Sequence, residues 1–238
     1  MRILITNDDG IQSEGIRRLA GMAAQLGEVW VVAPVTQCSA MSHRITIRDA
    51  LIAERVDFPG PATAFSLSGT PADCVKVALS YLMKGNRPDV VFSGVNHGYN
   101  AGYDIAYSGT VGAAMEAMMQ GIPAIAFSGE AVDCHEVEDR YMGEIARELL
   151  GMEAPEGGIW NVNFPGCPLE QCRGILRDRT VAPIQVYKDK YIPMVTDEGD
   201  VLTVVGIKTT AEEVPEGTDL AAVLAGYVSV GAVKSSVL

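Results

Sequence analysis

RILITNDDGIQSEGIRRLAGMAAQLGEVWVVA, residues 2–33, decides the fold class. Residues 2–6 predict a short buried strand, residues 14–25 carry apolar side chains at helical spacing, and residues 28–33 predict a second strand. The run VWVVA lacks polar alternation, which suits a sheet covered on both faces. The same stretch raises a chemical question, because the first strand runs straight into Asp8-Asp9-Gly10. At roughly 4 Å and an effective dielectric of ~20, two such carboxylates repel by about 4 kcal/mol. Something must offset that cost.

Outward from this unit the alternation continues. After a loop and a short extended piece near 44–48, Thr70-Pro71-Ala72-Asp73 opens a helix that runs through CVKVALSYLM. Thr70 suits the N-cap, Pro71 the first helical position, and Asp73 the positive helix end. DVVFSG (89–94), IPAIAFS (122–128) and GIWNVNF (158–164) predict strands, while TVGAAMEAMMQG (110–121) and residues 138–150 predict helices. Strands alternating with helices imply an α/β fold with a doubly wound, mostly parallel sheet. From about residue 175 the texture changes. IQVYKDKYIPMVTDEGDVLTVVG (184–206) predicts a long hairpin turning at 197–200, followed by a short helix, TDLAAVLA, and a last strand, GYVSVGAV. The expected division is an α/β domain over 1–174 and a β-hairpin-rich C-terminal extension over 175–238.

The 238 residues carry 30 acids against 18 bases, a formal net charge of −12. No run of Lys or Arg interrupts this, which argues against a nucleic-acid polymer as partner. Five cysteines at unpatterned spacing read as reduced thiols of a cytosolic protein, not as a zinc site or a disulfide framework. No signal-peptide pattern and no uncharged run of membrane-spanning length is seen, so no membrane partner is expected.

Three polar loops follow strand ends: Asn7-Asp8-Asp9-Gly10; TQCSAMSH (36–43), with Ser39; and Ser93 to Asn100, with Asn96. In open α/β sheets ligands sit outside the carboxyl ends of strands, so these loops fall on one edge. Two carboxylates, a hydroxyl and a carboxamide form the oxygen donor set of a hard divalent ion such as Mg²⁺ or Mn²⁺. Such a cation would offset the Asp8–Asp9 repulsion. Within SGVNHGYNAGYDIAYSGTVGAAMEA (93–117), Asn100 adds a neutral hydrogen-bonding side chain. Ser108-Gly109-Thr110 opens an apolar helix, and helix-start amides with two hydroxyls make a phosphate cradle. Metal and cradle together point to phosphoryl chemistry. His97 faces substrate or solvent, His43 stands behind Ser39, and His135, among acids, reads as surface. No serine stands in a nucleophile elbow, and no GxGxxG follows the first strand, which disfavours a serine hydrolase and a dinucleotide-dependent redox enzyme.

MRILITNDDG, GTPADCVKVAL, the 93–117 stretch and TDLAAVLAGYVSV together resemble the SurE family, the stationary-phase survival proteins, over nearly the whole chain. The resemblance implies a Rossmann-like fold and a cytoplasmic, metal-dependent phosphatase of nucleoside 5′-monophosphates, with 3′-monophosphates and short polyphosphates as further substrates to test. It also implies a homodimer or homotetramer assembled through the C-terminal extension. By position, it implies one divalent cation on Asp8, Asp9, Ser39 and Asn96, with Asp8 and Asp9 catalytic. Asn100, Ser108, Gly109 and Thr110 would then lie near the phosphate. The alternative is a nucleotide-sensing module without turnover.

Overall fold

The computed structural model describes residues 1–196 and 199–235. Five parallel strands form its centre: β1 (Arg2–Thr6), β2 (Glu28–Pro34), β4 (Thr63–Leu67), β5 (Val90–His97) and β6 (Ala124–Gly129). With β3 (Ala53–Arg55), β7 (Gly158–Phe164), β8 (Ile175–Leu176) and β11 (Val228–Lys234) they make a nine-stranded sheet. Its order is β3-β4-β2-β1-β5-β6-β7-β11-β8. Only β3 against β4 and β11 against β7 are antiparallel in this sheet. The chain winds outward from β1 to β4, then crosses back to β5 on the other side of β1. That reversal leaves a crevice at the carboxyl ends of β1 and β5, where ligands of such sheets bind.

Alternate side chains of each central strand feed two cores, as a doubly covered sheet requires. Ile3, Ile5 and Phe92 pack beneath α1 (Glu14–Ala23) and α4 (Glu136–Leu150), with Ile16, Leu19 and Ile145. Leu4, Val32 and Val91 pack on the opposite face beneath α2 (Pro71–Val77) and α3 (Gly109–Met119), with Val75 and Ala114. Gly94 is where β5 passes closest to β6: a Cβ there would lie 2.1 Å from the Phe127 carbonyl oxygen, and its φ is +131°. No L side chain fits that position. Register between β5 and β6 breaks between Ser93 and Asn96 and resumes at Asn96↔Ser128. Such an irregularity re-aims the strand end toward its neighbours.

The structure adds to the sequence reading at three places. The extended piece near 44–48 joins no sheet; the Thr46 amide and hydroxyl bond the Asp73 carboxylate at 2.9 and 2.7 Å, so side chains pin that segment. The strand β4 was not expected. Asp73 does more than face the helix dipole, because it completes a capping box with Thr70. The hairpin is seen as β9 (Tyr187–Thr196) paired with β10 (Gly199–Lys208) in a separate two-stranded sheet. Residues 197–198 of its expected turn lie outside the described residues. The short helix α5 (Asp219–Leu224) precedes β11, which returns to the main sheet. All five cysteines are free thiols.

Candidate active site

Asp8 and Asp9 leave β1 in opposite environments. Asp8 is buried, and its Oδ1 accepts a 2.5 Å hydrogen bond from the Thr110 hydroxyl. Asp9 is half-buried; its Oδ2 accepts from the His97 amide at 3.0 Å and its Oδ1 from Gln37 Nε2 at 3.3 Å. Asn7 braces the turn by donating to the Gly10 carbonyl at 3.0 Å and to Ser13 Oγ at 2.8 Å. Desolvation is the main force on Asp8 and, with the neighbouring Asp9 charge, outweighs the Thr110 bond, so its pKa rises to about 6. No Lys or Arg among the described residues forms an ion pair with either aspartate.

The start of α3 sits against this pair. A Cβ on Gly109 would lie 2.9 Å from Asp8 Cβ, so only glycine allows the approach. Ser108 caps the helix by accepting from the Val111 amide at 3.1 Å. The first-turn amides at Gly109 and Thr110 have no intrahelical acceptor and stand at the positive helix end.

Ser39 is exposed, and two anchors bracket its loop. On one side the Cys38 amide donates to the Asp8 carbonyl at 2.7 Å. On the other, the Ser42 amide donates to the Tyr107 carbonyl at 2.8 Å and His43 Nε2 meets Glu116 Oε2 on α3 at 2.9 Å. The His43 contact, aided by Gln120 and Lys76, holds Glu116 at a pKa of about 2 against the usual 4.5. A carboxylate with a lowered folded-state pKa adds stability above its unfolded pKa and loses it as pH falls through the folded one. Glu116→Gln is therefore expected to cost about 1–2 kcal/mol at pH 7, less than the shift alone gives because His43 and Lys76 are partly solvated. That gap to the wild type should shrink between pH 5 and pH 2 in urea titrations.

Asn96 lines a cavity together with Asp9, and its Nδ2 donates to the Gly98 carbonyl at 2.8 Å. Asn100 lies deeper. Its Nδ2 is committed to Ser128 Oγ at 2.8 Å, and its backbone is gripped by two strand residues that sequence reasoning passed over. Asn161 and Asn163 Nδ2 both donate to its carbonyl, at 2.8 and 3.0 Å, and its amide donates to Asn163 Oδ1 at 2.9 Å. The available signal was the i, i+2 spacing of asparagines within apolar GIWNVNF, which puts both on one face of β7. His135, expected at the surface, is half-buried with Nδ1 3.2 Å from Glu138 Oε2, because Glu138 is itself buried beneath it.

The residues fit a hard cation. Among the described residues, a desolvated carboxylate next to a second one lacks any basic partner, and the buried Asn7 Oδ1 lacks a donor. Among the described residues no three His, Cys, Asp or Glu side chains cluster as a metal site, so a cation here would rely on neutral oxygens besides the aspartates.

Comparison with known proteins identifies relatives of the chain in sequence and in fold. The family described as "Survival protein SurE" matches residues 3–184. The chain is 42% identical over 236 residues to a protein named 5′-nucleotidase SurE 1 of Thermus thermophilus, covering 97% of this chain and 90% of that one. It is 40% identical over 233 residues to 5′-nucleotidase SurE of Flavobacterium psychrophilum, covering 96% and 89%. The crystal structure of the SurE protein from Aquifex aeolicus superposes with a TM-score of 0.85 at 34% identity, covering 98% of this chain and 93% of that one. On sequence and fold alike, the chain belongs to the SurE family.

Proposed function

We propose that this protein is a 5′-nucleotidase, a divalent-metal-dependent phosphatase that hydrolyses nucleoside 5′-monophosphates to nucleoside and phosphate. The observation that carries the reading is the Asp8–Asp9 pair, one member desolvated and neither paired with a base, set against the first turn of α3. The names of the family's Thermus and Flavobacterium members support the substrate class.

Asp8, Asp9, Ser39 and Asn96 would hold one Mg²⁺ or Mn²⁺. Bound there, it would supply Lewis-acid polarisation of a phosphoryl oxygen and acidify a water. The chain's own groups do the rest. Thr110 Oγ1 fixes the Asp8 carboxylate, and the His97 amide fixes that of Asp9. The Gly109 amide orients phosphate oxygens while that of Thr110 faces the Asp8 carboxylate, and the positive helix end stabilises charge as water attacks phosphorus in line. Ser108 holds that helix start, and Asn100 shapes the loop beside it. Asp8 or Asp9 would take the proton of the attacking water; as the bond from phosphorus to the nucleoside oxygen breaks, that oxygen takes a proton from solvent. Phosphate release from nucleoside monophosphates should vanish with chelator and return with Mn²⁺ or Mg²⁺. Saturable nucleotide binding without release in any metal would leave a sensing module instead.

Residues 1–174 then form the catalytic part and 175–238 the part used for self-association. Every residue of β9 and β10 is exposed. Tyr191 pairs with Val204 on one face of the hairpin, and Met194 with Val201 on the other. An isolated two-stranded sheet is marginal in water, so apolar side chains on both faces imply burial against another copy. We assign a homodimer or homotetramer on this basis. Changing Tyr191 and Val204 to Asp together should yield a smaller species by light scattering; an unchanged mass would remove the hairpin from the interface. No helix among the described residues is long and apolar enough to cross a membrane. The five free thiols favour the cytoplasm.

A further inference from the structure

The backbone that leads into α3 is held by the C-terminal extension. After Asn100 the chain makes a short 3₁₀ helix, Gly102–Tyr107. The Ser108 amide closes back on the Ile105 carbonyl at 3.2 Å, so no slack separates this turn from α3. The far end of the same turn anchors the Ser39 loop: the Ala106 and Tyr107 carbonyls accept from the Ser42 hydroxyl and amide, each at 2.8 Å. One small piece of backbone therefore sets two parts of the site.

Its near end is gripped by residues beyond 175. The Gly102 amide donates to Asp219 Oδ2 at 3.0 Å, and the Tyr103 amide to the Ile184 carbonyl at 2.9 Å. Gly102 has φ +55°, and a Cβ on it would lie 2.2 Å from that same carbonyl oxygen, so the two backbones touch. Tyr99 and Ala101 share a separate apolar core with Ala182, Val186, Leu220 and Val223. The Asp219 carboxylate is buried and uses both oxygens on backbone amides: Gly102 on Oδ2, with Ala182 at 2.9 Å and Leu220 at 2.7 Å on Oδ1. Burying a carboxylate is costly, and desolvation raises its pKa despite those bonds. An amide side chain would offer one acceptor and turn N–H groups toward the other donor. A carboxylate accepts from both segments, the one before α3 and the one that follows β8.

We propose that Asp219 is a positioning residue for phosphoryl transfer: its carboxylate ties Gly102 to the C-terminal extension and so holds the start of α3 and the Ser39 loop against the aspartate pair. The extension, assigned above to self-association, is then also part of the catalytic unit of its own chain. The inference rests on the 5′-nucleotidase reading and adds to it a support from outside residues 1–174.

The test is Asp219→Asn in the full-length Mn²⁺-loaded protein, with adenosine 5′-monophosphate as substrate, at a temperature well below the melting midpoint of each variant. A remote misplacement of about 1 Å costs on the order of a hundredfold in rate, so kcat should fall roughly tenfold or more, with KM changing less. Val230→Ala, which thins the core beneath β11, is the control: it should lower the melting midpoint and leave kcat at the wild-type value. Amide hydrogen exchange should quicken over residues 102–112 in Asp219→Asn and stay unchanged over β1. If Asp219→Asn does not fold, Thr218→Ala, which uncaps α5, should show the same changes at about threefold. An Asp219→Asn protein that melts earlier but keeps the wild-type kcat would reduce Asp219 to a structural role and overturn the proposal. So would a kcat loss of equal size in Val230→Ala. If the wild type releases no phosphate in any metal, the nucleotidase reading fails by itself, and unchanged exchange over 102–112 would still end the positioning role.

Discussion

Asp8→Asn abolishes phosphate release and, in the metal-free protein, raises stability. Both effects have one cause. The Asp8 carboxyl titrates near 6 in the folded chain against 3.8 as an unperturbed group, because burial penalises its charge more than the Thr110 hydroxyl relieves it. For a carboxyl raised in this way the folded state binds the extra proton. Its stability is fully present below about pH 4 and is lost as pH rises through 6. Above pH 6 the ionised side chain costs on the order of 3 kcal/mol at most. An amide removes that charge and still accepts from Thr110, so a gain of about 1–3 kcal/mol is expected at pH 8 in chelator. For a chain of this length that is roughly 2–12 °C in Tm. At pH 4 the gain should disappear. Added Mn²⁺ should stabilise the wild type and leave Asp8→Asn unmoved, while turnover falls about a thousandfold or more, the scale of losing a charge-stabilising group from a reacting centre. A variant that is both less stable and inactive would mean the carboxylate is structural. Full activity in Asp8→Asn would end the case for this site.

What could be read in the sequence follows from where the apolar signal was strong. Ile3-Leu4-Ile5 and Val29 to Ala33 are strands that bury both faces, and their letters say so without help from partners. Thr63 to Leu67 is a different case. TAFSL is short and half small or hydroxyl-bearing; it becomes a central strand by pairing with β2 and by stacking Phe65 on Trp30, ring centroids 6.3 Å apart. Tertiary pairing, not local propensity, makes that strand. The site divides the same way. Asp8, Asp9, Asn96, Gly109 and Thr110 stand out as candidates because polar groups and glycine placed on a strand end or helix start carry their own reason. Ser39 stands out as a candidate too, but the shape of its loop does not, because it depends on positive φ at Ala40 and Ser42, neither of which is the glycine that would announce it. Asn100, expected near the phosphate, is buried in a polar seam. That seam is completed by residues more than sixty positions away, beyond the reach of any local pattern.

That seam yields the second large effect, in Asn163→Ala. Asn163 is fully buried, and its side-chain amide bonds both the carbonyl and the amide of Asn100, as a neighbouring strand would. Truncation leaves the Asn100 N–H without an acceptor, at about 1–3 kcal/mol, and opens a small cavity, so a total loss of roughly 2–4 kcal/mol is expected in urea titrations. Function should fall as well. The segment held by Asn100 runs back through Gly98 to His97 and Asn96, and the His97 amide is what fixes the Asp9 carboxylate. A displacement of about 1 Å in such a support costs on the order of a hundredfold in rate. The decrease is therefore expected in kcat, at temperatures where the variant is still folded. Asn161→Ala removes only one of two donors to the Asn100 carbonyl and should be milder. The double variant should lose more than the sum of the singles, because only then is that carbonyl stripped of both donors. A large stability loss with kcat untouched would show that the seam packs the sheet without steering the site. The path from β7 to Asp9 would then have to be abandoned.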